Sequence, residues 1–598
     1  MKSSCYMGKL LRVNLTSGQI NVEDISPQLQ RDYLGPRGFA VRYLFDELSP
    51  GIDPLSPENV IFMGAGALAG IPGLNFSKWL VGTKSPLSGG YARSVCGGRF
   101  GALLKFAGFD AITIEGCAAR PSYIFINKGE VSIYDAAELW GMDTDRTQEW
   151  LKQKYNSQIS VACIGPGGEK LVRYACIVSD RRTAGRCGTG TVMASKNLKA
   201  IAINASGHIN PYDPEILKGL SRKLIDIHKA DFRNRRYSEY GSASLLERFA
   251  YKSNITPVRN FQGASLEGVD KLFSTEFNKY KVRKYGCWGC MTRCGQFRQV
   301  TEGPYAGHLT DGPEYESIAA LGCVLGNNEP ASIIAMDELC DLYGIDTIST
   351  GVCIGFACEL YERGVITSED TDGLELTWGN HQAFLRLVHK IGKREGFGWL
   401  LGEGTKRAAE QIGKGAGYYA MQVKGVEIPG EDPRTVKGLA LGFAVSNIGA
   451  HHMYGWPTKE FYGEIDRLVD EGHGAYIAQV QKDHAIRDCI MECIFGDSGL
   501  SEELRGQMLI AATGFEELGD VNHVDDIGGK IVTLERAFNV REGFSRKDDT
   551  LPLRFLTEPI KNAGRATGET VRKLDTLLDE YYAAMGYNID GIPVNKGE

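Results

Sequence analysis

The chain has 598 residues, 67 of them basic and 74 acidic, and its net charge of −7 argues against nucleic-acid binding. No stretch reaches the ~18–20 apolar residues that span a bilayer, and the first residues lack the apolar core of a signal peptide, so a cytoplasmic protein with no membrane insertion is expected. The length excludes a single core. Glycine, at 74 residues, stands well above its usual share of roughly 7%, which implies many close backbone approaches, as around a large ligand. Fifteen cysteines in such a setting point to thiols and metal ligands, because an odd number cannot pair completely and the compartment is reducing.

Residues 1–209 read as strands and turns. Lys9-Leu-Leu-Arg-Val-Asn-Leu alternates like a strand, and Thr16-Ser-Gly18 turns into Gln19-Ile-Asn-Val. Further strand-like runs are Asn59-Val-Ile-Phe-Met, Ala111-Ile-Thr-Ile-Glu, Ser122-Tyr-Ile-Phe-Ile and Ala200-Ile-Ala-Ile. Glycine-rich stretches lie between them, among them Gly35-Pro-Arg-Gly38, Gly64-Ala-Gly66, Gly165-Pro-Gly-Gly168 and Gly185-Arg-Cys-Gly-Thr-Gly190. None fits a phosphate-binding loop or a dinucleotide fingerprint. Each alone is a turn; together they suggest a backbone-lined platform for a polar, phosphate-bearing ligand, with Arg37, Lys78, Arg93, Arg182 and Arg186 as further donors.

From 210 the pattern becomes helical, beginning with Pro214-Glu-Ile-Leu-Lys-Gly-Leu. Helices run to about 420, the two prolines of Gln422–Arg434 interrupt them, and a last helical block fills 421–598. The expected fold class is α+β: a sheet-rich domain followed by two mainly helical ones.

The middle of the chain carries Cys287-Trp-Gly-Cys290-Met-Thr-Arg-Cys294. Three thiols at this spacing with a distant fourth suit a cubane iron–sulfur cluster; a structural zinc site or three separate buried thiols are the plainer readings. A second pattern occurs twice. Asp341-Leu-Tyr-Gly344-Ile-Asp346 closes a helix, and although Gly344 is explained as a C-cap, Asp341 is not, since a carboxylate in the last turn opposes the helix dipole. Asp488-Cys-Ile-Met-Glu-Cys493 again places a potential ligand five residues after an aspartate, which makes Cys493 the candidate fourth thiolate and Cys489 its competitor.

These stretches, together with Tyr33-Leu-Gly-Pro-Arg-Gly, Thr83-Lys-Ser-Pro-Leu-Ser-Gly, Leu104-Lys-Phe-Ala-Gly-Phe-Asp, Gly312-Pro-Glu-Tyr-Glu and Phe538-Asn-Val-Arg-Glu-Gly-Phe-Ser-Arg-Lys-Asp-Asp, make the chain resemble the tungsten-containing aldehyde:ferredoxin oxidoreductases over its whole length. The resemblance implies a bis-pyranopterin tungsten (or molybdenum) centre on the sheet domain, Mg2+ bridging the pterin phosphates, and a [4Fe–4S] cluster alongside. By position it assigns Cys287, Cys290, Cys294 and Cys493 to the cluster. Asp341 and Asp488, with Gly344, Ile345, Asp346 and Glu492 in their turns, go to the pterins. Lys78, Arg93, Arg182 and the Arg186-Cys187-Gly188 stretch join these as cofactor-binding residues. Three departures stand out: Lys78 replaces the usual arginine, Val95 an asparagine, and Met491 the glycine of the second turn.

The implied reaction is oxidation of an aldehyde to a carboxylic acid, with electrons leaving to ferredoxin or an iron–sulfur subunit. His452 matches the histidine expected near the metal, with His451 as its competitor, and either Glu314 or Glu316 matches a neighbouring carboxylate for acid–base work. A benzoyl-CoA-reductase-type catalytic subunit is the second enzymatic reading, and a non-catalytic iron–sulfur or zinc protein the remote one. The chain is also compatible with a homodimer or a larger complex.

Overall fold

The computed structural model describes residues 4–496 and 499–594. Strands β1 (Lys9–Asn14), β2 (Ile20–Asp24), β3 (Ile61–Ala65), β4 (Trp79–Lys84), β5 (Tyr91–Cys96) and β6 (Ala111–Glu115) form a six-stranded sheet ordered β2-β1-β6-β3-β4-β5. A second six-stranded sheet holds β7 (Ser122–Asn127), β8 (Glu130–Asp135), β9 (Ser160–Cys163), β10 (Ile177–Ser179), β11 (Arg182–Ala184) and β12 (Leu198–Asn204), ordered β11-β10-β9-β12-β7-β8. Only β1 with β6 and β7 with β12 run parallel; the other pairings are antiparallel.

Strand periodicity explains the layering, since successive side chains point to opposite faces. In the first sheet Leu11, Val13, Ile61, Met63, Trp79 and Val81 point one way, into a core shared with Ile124, Ile126, Ala162, Ile201 and Ile203 of the second sheet. Leu10, Phe62 and Leu80 point the other way, under the helix Pro36–Glu47. Both faces are therefore buried, which is why β3 and β4 have no exposed residue.

The helical remainder follows, but its two blocks interleave in space. Segments 217–224, 485–491 and 500–538 join the core beneath Pro36–Glu47. The helices Tyr315–Leu321, Pro330–Tyr343, Thr347–Glu362 and His381–Lys393 instead share a core with Lys437–Val445 and the C-terminal helix Leu574–Met585. Among the described residues, no helix is long and apolar enough to cross a membrane.

The glycine loops serve a purpose the sequence reading missed. A Cβ at Gly165 would lie 2.4 Å from the Tyr343 carbonyl, and one at Gly35 would lie 2.0 Å from the Cys489 carbonyl. Each is far inside contact distance. These two glycines let the ends of the aspartate-bearing helices dock backbone to backbone on the sheet domain, so part of the platform receives protein and not ligand.

Candidate active site

The cysteine run follows the strand Lys281–Tyr285 and lies against the β4–β5 side of the first domain. Gly98 N–H donates to Cys287 Sγ at 3.2 Å, and a Cβ at Gly97 would come within 2.8 Å of the same sulfur. Cys290 Sγ donates to Asn75 Oδ1 at 3.0 Å, while Asn75 accepts the Cys493 N–H through its carbonyl at 2.9 Å. Asn75 thus brings the fourth thiol to the run. Burial pushes the Cys290 thiol up to about 12, with the Cys287 and Cys493 charges adding to it. Burial raises Cys294 as well; Arg182 opposes, and Glu314, Cys493 and Cys287 reinforce. Thiols held protonated in this way become thiolates when a bound cation supplies the compensating charge. Cys489 is elsewhere, fully buried in the core with its Sγ directed at the Tyr33 carbonyl at 3.5 Å.

The two aspartate turns have one backbone shape. Gly344 ends Pro330–Tyr343 at φ 66°, ψ 50°, and Met491 ends Gly474–Ile490 at φ 61°, ψ 32°. The substitution of methionine for glycine leaves the left-handed cap intact, at a steric cost of about 1 kcal/mol. Their surroundings differ. Asp341 has no hydrogen bond or ion pair from its carboxyl group among the described residues. Burial, with the Asp337 and Asp311 charges, raises its pKa well above the usual carboxylate value. Asp488 is instead ion-paired with Arg93 Nη1 at 2.7 Å and accepts from Arg37 Nη1 at 3.2 Å.

Five residues on from each aspartate, Asp346 caps the helix Thr347–Glu362 and pairs with Arg186 at 2.8 Å, whereas Cys493 faces the cysteine run. Ile345 bridges to Ala175 of the sheet domain. Gly188 caps the helix Thr189–Ser195 at φ 74°, where a Cβ would strike the Arg173 carbonyl at 2.2 Å, and the neighbouring Cys187 is buried with its Sγ on the Arg93 and Ile448 carbonyls.

The arginines read as ligand donors are each partly spent on carboxylates. Arg182 pairs with Glu314 at 2.7 Å, Arg186 with Asp346 and Arg93 with Asp488. Arg37 is locked by Glu535 at 2.8 Å, so it braces the second turn. Yet the buried Nε atoms of Arg93, Arg182 and Arg186 have no hydrogen-bond partner among the described residues. Lys78 makes no ion pair among the described residues; burial opposes its charge, but Cys493, Asp488, Cys287 and Cys294 outweigh it and raise its pKa. The Glu492 carboxylate pairs with Arg487 at 2.6 Å and Arg505 at 3.4 Å.

The structure separates the histidines and the glutamates. His451 uses Nδ1 to accept the Met453 N–H at 3.0 Å. His452 Nδ1 stands 3.6 Å from Glu316 Oε1, and neither atom has a hydrogen-bond partner among the described residues. Burial lowers the His452 pKa against the pull of Glu316, which keeps the ring neutral. Glu316 Oε2 accepts the Gly430 N–H at 2.8 Å, while Glu314 is held by Arg182 and Ser242. Beside Glu316 and His452 stands Glu431, which sequence reasoning passed over. One polar atom from each of the three lies within 4.8 Å of the others. Glu431 is fully buried, neither of its oxygens meets a well-formed hydrogen-bond partner among the described residues, and burial with the Glu316 charge raises its pKa well above the ordinary value. Its only sequence signal was position, inside the proline-broken stretch Ile428-Pro-Gly-Glu-Asp-Pro.

Comparison with known families matches residues 10–205 to the aldehyde ferredoxin oxidoreductase N-terminal domain and residues 215–596 to domains 2 and 3 of the same enzyme. The chain belongs to the aldehyde ferredoxin oxidoreductase family. Two tungsten-containing aldehyde ferredoxin oxidoreductases, from Pyrococcus furiosus and Pyrococcus horikoshii, are 38% and 39% identical to it, over 99% of this chain and 98% of theirs. An aliphatic sulfonate oxidoreductase, WOR-like subunit, of Pyrococcus furiosus is 33% identical over 98% of this family member and 95% of its own length. Among solved structures, the active site complex BamBC of benzoyl coenzyme A reductase with 1,5-dienoyl-CoA superposes with a TM-score of 0.84 at 25% identity, over 99% of this chain and 96% of that one.

Proposed function

We propose that this enzyme oxidises aldehydes to carboxylic acids, reversibly in principle, at a bis-pyranopterin tungsten centre seated between the sheet domain and the two aspartate turns. The residues fit such a group. Asp341 offers an unpaired carboxyl group, and Arg93, Arg182 and Arg186 offer buried N–H groups without partners, as a ligand with phosphates and ring N–H groups requires. Mg2+ between the phosphates and a [4Fe–4S] cluster on Cys287, Cys290, Cys294 and Cys493 complete the reading. The family likewise supports tungsten, and molybdenum suits the same residues because the pterin and not the protein holds the metal. When bound, the pterin-held metal supplies the two-electron acceptor.

The observation that carries this function is the trio of Glu316, Glu431 and His452, with Glu431 fully buried. The reaction consumes an aldehyde and a water and releases an acid, two electrons and two protons. Glu431, held neutral by burial and by the neighbouring charge, can donate its O–H to the aldehyde oxygen. Neutral His452, with Nδ1 unspent, can accept a proton as water is deprotonated, and Glu316 can stabilise the imidazolium that results. Trp456, edge-on to His452 with ring centroids 6.0 Å apart, closes one side against solvent.

The likeness to the benzoyl coenzyme A reductase complex favours a second reading, reduction of an aromatic acyl-CoA. Anaerobic protein assayed with simple aldehydes and a viologen dye decides between them. We expect dye reduction that Glu316→Gln reduces by about 100-fold or more. Turnover of an aromatic acyl-CoA with no aldehyde oxidised would sink the first reading.

A further inference from the structure

The cysteine run is preceded by a basic stretch of chain in an acidic protein, of which Lys281 is paired with Glu239 at 2.9 Å and Lys279 with Glu276. From Asn278 to Arg293 there are five basic residues and no acidic one, while the chain as a whole carries −7. The strand Lys281–Tyr285 is an edge strand, paired only with Gly295–Gln299. Arg283 and Lys284 project from it into solvent, and Arg293 is exposed on the residue before Cys294. The helix Phe232–Tyr240 lies alongside, its Ser238 and Tyr240 carbonyls accepting from Gln296 and Arg298 at 3.0 and 2.9 Å, and it adds the exposed Arg235. None of these four exposed cations makes an ion pair among the described residues. They are nonetheless ordered: Arg283 lies 3.9 Å over the Phe297 ring and Lys284 Nζ reaches Ser238 Oγ at 3.3 Å.

Basic residues on an edge strand commonly serve to prevent unwanted pairing. That explanation covers Arg283 and Lys284 but neither Arg235 nor Arg293, which are not on the strand. It also leaves unexplained the large apolar side chains among them, Phe232 at 66% and Val282 at 53% exposure. Exposed apolar side chains on the same two elements as exposed cations suit a transient protein interface. The run itself reaches solvent here, since Gly289, between Cys287 and Cys290, is exposed.

We infer that this surface docks an acidic iron–sulfur electron-carrier protein, its carboxylates meeting the exposed cations Arg235, Arg283, Lys284 and Arg293 beside the cysteine run. The inference rests on the functional reading above for the cluster and adds the place and charge of the exit. Each turnover passes two electrons, one to each of two oxidised carriers, while the aldehyde and water become the acid and two protons. Charge steers the encounter, so the effect falls mainly on association and is sensitive to salt.

The test titrates the holoenzyme calorimetrically with a purified acidic ferredoxin at low and high salt, and assays aldehyde oxidation with that ferredoxin and, separately, with benzyl viologen. In the double variant Arg283→Glu, Lys284→Glu, ferredoxin binding and KM should worsen by about tenfold or more at low salt, with viologen-linked turnover unchanged. Arg235→Glu, away from the strand, should give a smaller shift of the same sign. Wild-type ferredoxin affinity and KM in both variants would overturn the inference. Absence of viologen-linked oxidation in the wild-type enzyme would count against the functional reading instead, and calorimetry would still judge the surface.

Discussion

The two aspartate turns have one backbone and two chemistries. Both end a helix with a left-handed residue, and both dock on a sheet-domain glycine that a methyl group would abolish. The first presents Asp341 among Asp337 and Asp311, which favours the neutral acid. The second presents Asp488 between Arg37 and Arg93, as a charge-compensated carboxylate. The fifth position diverges too, into a helix cap at Asp346 and a thiol at Cys493. Two seats of equal shape therefore offer a ligand different hydrogen-bonding roles: Asp341 can donate and accept, while Asp488 only accepts.

The sharpest way to break this comparison is at the fifth position. Cys493→Ser should abolish the cluster's electron paramagnetic resonance signal, while Cys489→Ser, whose thiol faces the Tyr33 carbonyl, should keep it. The reverse result would separate the second turn from the cluster.

Next in size is the charge environment. Asp488→Asn removes the carboxylate that Arg93 pairs with among the described residues, and denaturant unfolding should register a loss of about 3 kcal/mol. Asp341→Asn should do the opposite. The folded pKa of Asp341 is raised, so above an unfolded value of roughly 3.9 the unfolded chain releases a proton that the folded one retains, and stability falls as pH rises. The asparagine removes that dependence. Its melting temperature should exceed the wild type at pH 7, by less than the Asp488 loss, with the gain shrinking as pH approaches 4. Opposite-signed effects at pH 7 are expected, the gain smaller than the loss; two losses would mean that the turns share one environment.

The smallest effect concerns Met491. Glycine there relieves about 1 kcal/mol of left-handed strain but removes a side chain that is only 1% exposed, whose burial is worth about 2 kcal/mol. Met491→Gly should therefore cost about 1 kcal/mol in chemical denaturation. A gain would show that the methionine is tolerated strain and not packing.

Much of this was legible in the sequence because it is local. Apolar runs gave β1, β3, β6, β7 and β12, and the cysteine spacing and the two aspartate turns stand in plain view. Strand β5 was missed because Arg93 and Ser94 interrupt its apolar pattern; both are buried, and Arg93 serves Asp488 across the domain boundary. Arg37 read as a ligand donor because its partner, Glu535, is almost five hundred residues away. Glu431 was invisible for a related reason: a carboxylate becomes notable only when folding buries it beside another. The glycines were half-read, since their number told of close backbone approach but not that helix ends as well as a ligand would make it.

The most direct test is metal and pterin analysis of anaerobically purified protein. The account predicts tungsten or molybdenum with released pterin, and iron in the proportion a single cubane cluster requires. Zinc bound to the four cysteines, with neither tungsten, molybdenum nor pterin, would contradict it.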